Sequence, residues 1–197
     1  MEDGAAQRIL RHIPKIEGVR MQDSQVRFVP LAAKTVVCHT ITYFFMGTLA
    51  YHFLHYQEFI DNPCSGMRPI TSLWVILGTP LQAIRAVLFA TIFYALRERL
   101  FGRKNGWMLM AWLLVGIGIL GTFAAPAGSL EGFIYTTTPL LMQLRGYLEI
   151  VPQALLMSAL LVYWVNHPGK KQVNWALIGM YVICAGLPML ALVAPKR

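Results

Sequence analysis

The chain has 197 residues, of which 56% are hydrophobic and 13% charged. That is about half the charge of a soluble domain, and much of the apolar content falls in runs of about 20 residues, the length that crosses a hydrocarbon core. An ordinary soluble domain is excluded. The formal net charge of +8 does not call for nucleic acid, because lysines and arginines beside membrane helices hold loops on the cytoplasmic side and attract anionic headgroups.

Residues 1–28 are polar and basic, and separate from a membrane domain over 29–197. Ile9, Leu10, Ile13 and Ile16 recur at helical spacing with Arg8, Arg11 and Lys15 between them, the pattern of a helix lying on the membrane surface. Pro14 interrupts that pattern, and a structureless tail fits as well. The segment is too long and too mixed for a signal-peptide n-region, so the first span is expected to double as the insertion signal.

Five apolar runs follow, over about 29–53, 70–96, 107–124, 137–165 and 173–193. They are joined by a polar loop, a basic turn (RERLFGRKNG), a Gly/Pro/Ser loop (APAGSLEGF) and a second basic turn (NHPGKK). Spans this close together predict an all-α integral membrane protein, one bundle of five transmembrane helices. Arg8, Arg11, Lys15, Arg20, Arg27 and Lys34 lie on one side, with Arg97, Arg99, Arg103, Lys104, Lys170 and Lys171. The opposite side has Arg68, Lys196 and Arg197. The positive-inside rule then places the N-terminus in the cytoplasm and the C-terminus outside, which requires an odd number of spans. With no eukaryotic sorting signal visible, a bacterial cytoplasmic (inner) membrane is the expected location. Cys38, Cys64 and Cys184 are widely spaced and odd in number, so no disulfide framework is implied.

The second half echoes itself. Thr79-Pro80-Leu81 precedes Arg85, and Thr138-Pro139-Leu140 precedes Arg145; each span ends in a basic turn, and each following span closes on Ala-Pro. Two explanations stand: a parallel repeat of helix pairs 2–3 and 4–5, or the generic grammar of Thr-Pro starts and interfacial tryptophans.

The polar residues inside the spans are the candidate site. Arg145, Glu149 and Gln153 are spaced by four and form one stripe of a helix, while Gln82 and Arg85 are the equivalent pair in span two. A charge at mid-bilayer costs roughly 2.5–3.5 kcal/mol. The three charges are therefore expected to face inward, with Glu149 neutralising one or both arginines and Pro152 freeing the carbonyl of Leu148. One arginine is left over for a backbone carbonyl, water or an anionic ligand. An architectural Arg–Glu–Arg cluster is the competing explanation.

At the end of span one, His52, His55 and Glu58 recur every three residues and form the candidate metal set, although that spacing drifts around a helix and equally suits an interfacial polar belt. His39 has no histidine partner in another span, which argues against bis-histidine haem, and the sequence leaves any cofactor unknown. The loop APAGSLEGF reads either as a cap over the polar cluster or as a flexible turn, the turn being the expectation.

No P-loop, HExxH or GxSxG is present, so no catalytic residue is assigned. The leading functional expectation is a non-catalytic subunit or scaffold of a larger membrane assembly, partnered by membrane lipids and other membrane protein chains. The alternative is a small transporter or lipid-binding protein that uses Arg85, Arg145 and Glu149, with Gln82 and Gln153, for an anionic solute or headgroup. The third is a membrane enzyme acting on a lipid phosphate.

Overall fold

The first apolar run forms one unbroken helix, α1 (Phe28–Phe53). Its threonines do not weaken it, because Thr35, Thr42 and Thr48 turn their hydroxyls back onto carbonyls of the preceding turn, at 2.8–2.9 Å, which keeps those polar groups bonded within the helix. The computed structural model describes residues 26–60 and 68–193, without the side chains of 58, 59 and 191–193. The expected surface helix near the N-terminus therefore lies outside the described residues, as does Cys64.

Beyond α1, His55 adopts a left-handed conformation (φ 54°) and a short α2 (Tyr56–Ile60) follows. The expected second span, 70–96, is instead two helices, α3 (Leu73–Ile76) and α4 (Gly78–Ala95). The break has a local cause: Pro80 has no N–H to give the carbonyl of Ile76, and its ring tolerates only the first turn of a helix. A one-turn α5 (Arg97–Leu100) leads through a turn, with Gly102 at φ 70°, to α6 (Gly106–Val115). A π turn, Gly116–Leu120, extends α6. The remaining helices are α7 (Leu130–Tyr135), α8 (Leu140–Asn166) and α9 (Lys171–Val193). No strand occurs among the described residues.

Three of these helices are long and apolar enough to cross a membrane: α1, α8, and α9 over Lys171–Leu190. Helix α4 has 18 residues but carries Gln82 and Arg85. The apolar stretch Gly106–Leu120 is shorter than the ~20 residues a span needs. The fold is thus all-helical with three candidate spans, where five were expected.

Helix α1 is the centre of the packing and touches α4, α8 and α9, while α6 lies on α8. Side-chain contacts set the directions. Phe28 meets Tyr94 edge-on at 5.5 Å, His39 meets Gln82, and Tyr43 lies beside Gly78, so α4 runs antiparallel to α1. The Lys34 ammonium donates to the carbonyl of Trp164 at 3.1 Å, and Gly47 faces Glu149, so α8 is antiparallel to α1 as well. Lys34 places a cation on a carbonyl that the end of α8 leaves without a helical donor, at the negative end of its dipole.

One end of the bundle holds the apolar core. Leu31, Phe93, Leu100, Met110, Met157, Leu161 and Trp164 are buried there. The Gly102 amide donates to the Asn166 side chain at 2.9 Å, which draws the two basic turns to this same end. Tyr56, Arg145 and Glu149 lie toward the other end.

Candidate functional site

Helix α8 carries the Arg145–Glu149–Gln153 stripe and runs through Pro152 without ending. Glu149 is half-buried and accepts a 2.6 Å hydrogen bond from the Tyr56 hydroxyl of α2. Its other oxygen faces Gly47 on α1, 3.7 Å from where a β-carbon would sit. Burial, and then the Glu149 carboxylate itself, push the Tyr56 phenol well above its ordinary range, so Tyr56 remains the donor in this bond.

The expected Arg–Glu–Arg cluster does not form. The ion pair given by the described residues is Arg97–Glu98 at 3.7 Å, at the basic end. Depth explains why. Glu149 is level with Gly47 and Gln82 with His39; those two α1 positions are eight residues apart, about 12 Å along a helix. Arg85 starts a further turn toward the basic end, out of reach of Glu149. Between them Tyr43 sits in the field of both charges.

Gln82 faces inward as expected: its oxygen accepts from the His39 ring at 3.2 Å, and its amide donates to the carbonyl of Gly78 at 3.2 Å. An amide oxygen can only accept, so the Nε2 of His39 carries a proton. His39 is 2% exposed, and its Nδ1 has no partner among the described residues. Arg85 is exposed on the surface of α4. Gln153 is half-buried one turn beyond Glu149.

Arg145 points elsewhere. It lines a cavity of ≈360 Å³ at the end of the bundle away from the basic turns. The walls come from the α1–α2 turn (Leu54, His55, Tyr56), the segment at Gly128, and Met142, Arg145 and Ile150 of α8. The lining is apolar apart from a few polar groups, which is the usual composition of a small-molecule site.

The loop closing this cavity is held by hydrogen bonds, where a flexible turn was expected. Gly128, at φ 90°, takes a conformation that favours glycine. Its amide donates to Oε1 of Gln143 at 2.9 Å, and its carbonyl accepts from the Tyr147 hydroxyl. The other end of Gln143 donates to the carbonyl of Thr138 at 3.0 Å. Ser129 caps α7 by accepting from the Gly132 amide at 2.9 Å, leaving that helix start with one fewer free donor.

The structure thus scatters the five candidate residues: Arg145 lines the cavity, Glu149 meets Tyr56, Gln153 is half-buried a turn beyond Glu149, Gln82 meets His39, and Arg85 is exposed. Sequence reasoning passed over Tyr56, Tyr43 and Gly47. A signal existed, since His39, Tyr43 and Gly47 are spaced by four and make one stripe on α1, His39 and Tyr43 meeting α4 and Gly47 meeting Glu149 of α8.

Of the metal candidates, His52 is exposed at the end of α1, His55 occupies the left-handed turn, and the side chain of Glu58 lies outside the described residues. Among the described residues no group of three His, Cys, Asp or Glu side chains comes together.

The chain matches no known family model, no curated protein and no solved structure. Its class therefore rests on its own geometry: an all-helical protein with three helices long and apolar enough to cross a membrane, carrying a cavity with one arginine.

Proposed function

We propose that the chain is a five-span protein of a bacterial cytoplasmic membrane that holds an anionic solute or lipid headgroup in the Arg145 cavity. The observation that carries this is the pairing of a ≈360 Å³ cavity with an arginine that makes no ion pair among the described residues. A guanidinium at membrane depth is costly without a partner, and it forms strong charge-assisted bonds to phosphate or carboxylate. The five-span topology is supported by the antiparallel run of α4 and α8 against α1 and by both basic turns lying at one end. By the positive-inside rule that end is cytoplasmic. That α4 and α8 run the same way also suits a parallel repeat.

Purification in mild detergent, with mass spectrometry of the intact particle, tests this. The wild type is expected to retain an anionic lipid or metabolite, and Arg145→Gln to lose it by at least about tenfold, the effect of one charge-assisted hydrogen bond. A wild-type particle free of any anion would falsify the proposal, and so would retention that Arg145→Gln leaves unchanged.

A second reading, a non-catalytic subunit of a larger membrane assembly, is supported by α9. Only 6% of its most apolar stretch is buried within the chain, and Gly179 and Gly186 open onto free space, as close helix–helix packing uses. Stoichiometric protein partners in the same mass spectrum would favour it.

A further inference from the structure

The polar groups around the cavity are not interchangeable, because most of them are already committed. Both ends of the Gln143 amide are used, on Gly128 and on Thr138. The proton of Tyr147 goes to the carbonyl of Gly128. Tyr56 has one proton, and it lies on Glu149 at 2.6 Å; what its oxygen offers elsewhere is a lone pair, because a phenol both donates and accepts. Arg145 offers donors and no acceptor. The hydroxyl of Thr138, also on the wall, serves either way, and His55, the remaining polar side chain of the wall, already has a contact of its own.

The cavity therefore presents a cationic donor together with a neutral acceptor. We infer that its ligand is a phosphate ester carrying a free hydroxyl, of the glycerophosphate kind, with the phosphate on Arg145 and the hydroxyl donating to the Tyr56 oxygen. This rests on the anion-binding reading above and goes further in naming what lies beside the charge. A cavity of ≈360 Å³ accepts a headgroup of that size. The acyl chains of a lipid would run outside it, along the exposed Leu144 and Leu148 of the same helix. A hydroxyl-free anion satisfies Arg145 and leaves the Tyr56 oxygen without its donor, which costs one neutral hydrogen bond.

The test is a titration of the full chain in mild detergent, read by thermal shift and by intact-particle mass spectrometry. The probes are short-chain phosphatidylglycerol, phosphatidylmethanol (the same phosphodiester without the hydroxyls), phosphatidylcholine, and free glycerol 3-phosphate. The wild type is expected to bind phosphatidylglycerol about three- to tenfold more tightly than phosphatidylmethanol, the effect of one neutral hydrogen bond. Tyr56→Phe should bring the two lipids to equal affinity, while Glu149→Gln, whose amide oxygen still accepts from Tyr56, should keep the preference.

Equal binding of the two lipids by the wild type overturns the inference without touching the anion reading, as does a preference that survives Tyr56→Phe. The wild-type comparison stands even if that variant fails to fold. Binding of phosphatidylcholine as tight as that of both anionic lipids overturns the anion reading itself. Glycerol 3-phosphate competing as well as phosphatidylglycerol upholds the inference and makes the ligand a solute, whereas failure to compete makes it a lipid.

Discussion

Gly106→Ala is expected to lower the stability of the folded chain by about 3 kcal/mol, the upper end of the usual cost of overpacking. A β-carbon on Gly106 would sit 1.8 Å from the carbonyl oxygen of Leu100 and 2.7 Å from its carbon. Both obstructing atoms are backbone, so no side-chain rotation relieves the contact. Leu100 is itself fully buried in the core, and the turn between the two residues is fastened to the end of α8 through Gly102 and Asn166. Relief would have to come from moving α5 against α6. Gly179→Ala makes the control: nothing lies within 4 Å of its added carbon, and alanine is better by up to about 1 kcal/mol than glycine inside a helix. Thermal unfolding of both variants in one detergent should show Gly106→Ala melting well below the wild type and Gly179→Ala level with it or above. Equal melting temperatures for the two would sink this account of the turn.

The second large effect concerns the loop over the cavity. Gln143→Leu nearly preserves shape but leaves the Gly128 amide and the Thr138 carbonyl without their partners, both otherwise held at about 3 Å. Gln143 is 4% exposed, so water does not readily replace it. Each stranded group costs about 1–3 kcal/mol. The expected result is a loss of amide-exchange protection at Gly128 by at least about thirtyfold, the factor that ~2 kcal/mol represents, with the core at the basic end exchanging as before. Unchanged protection at Gly128 would mean that Tyr147 alone holds the loop. The same variant should weaken anion retention, since Gly128 forms part of the cavity wall.

Helix positions were legible in the sequence because apolar length is a strong signal, and α1, α8 and α9 fall close to their expected bounds. The break at Leu77 is partly legible: Thr79-Pro80 is a helix-start signal, yet the continuous apolar run over 70–96 predicts a single span with Pro80 inside it. The π turn at Gly116–Leu120 was not, since nothing in GIGIL sets it apart from an ordinary apolar helix.

For the site, residue types alone identified the α8 stripe, but which charge meets which depends on the register between helices. Counting back from the basic turns places Arg85 level with Gln153. The contacts of His39 with Gln82 and of Gly47 with Glu149 set Arg85 deeper toward the basic end than that. The partner of Glu149 came from a tyrosine just past the end of α1, where a left-handed residue turns the chain back. No periodicity in the sequence marks such a turn at a non-glycine residue.

The central position of α1 has a consequence for how the protein is made. Helix α1, the first of the described helices to be synthesised, is among the last of them to acquire all of its neighbours, because α8 and α9 come at the end of the described chain. About 110 residues separate Phe53 from Asn166, so at 5–20 residues per second α1 waits roughly 6–22 s for its second wall. During that interval α4 is its main companion, and the His39–Gln82 contact joins polar groups of the two helices. The nascent helical pair therefore brings its own polar clasp, which keeps α1 and α4 in register until the C-terminal half arrives.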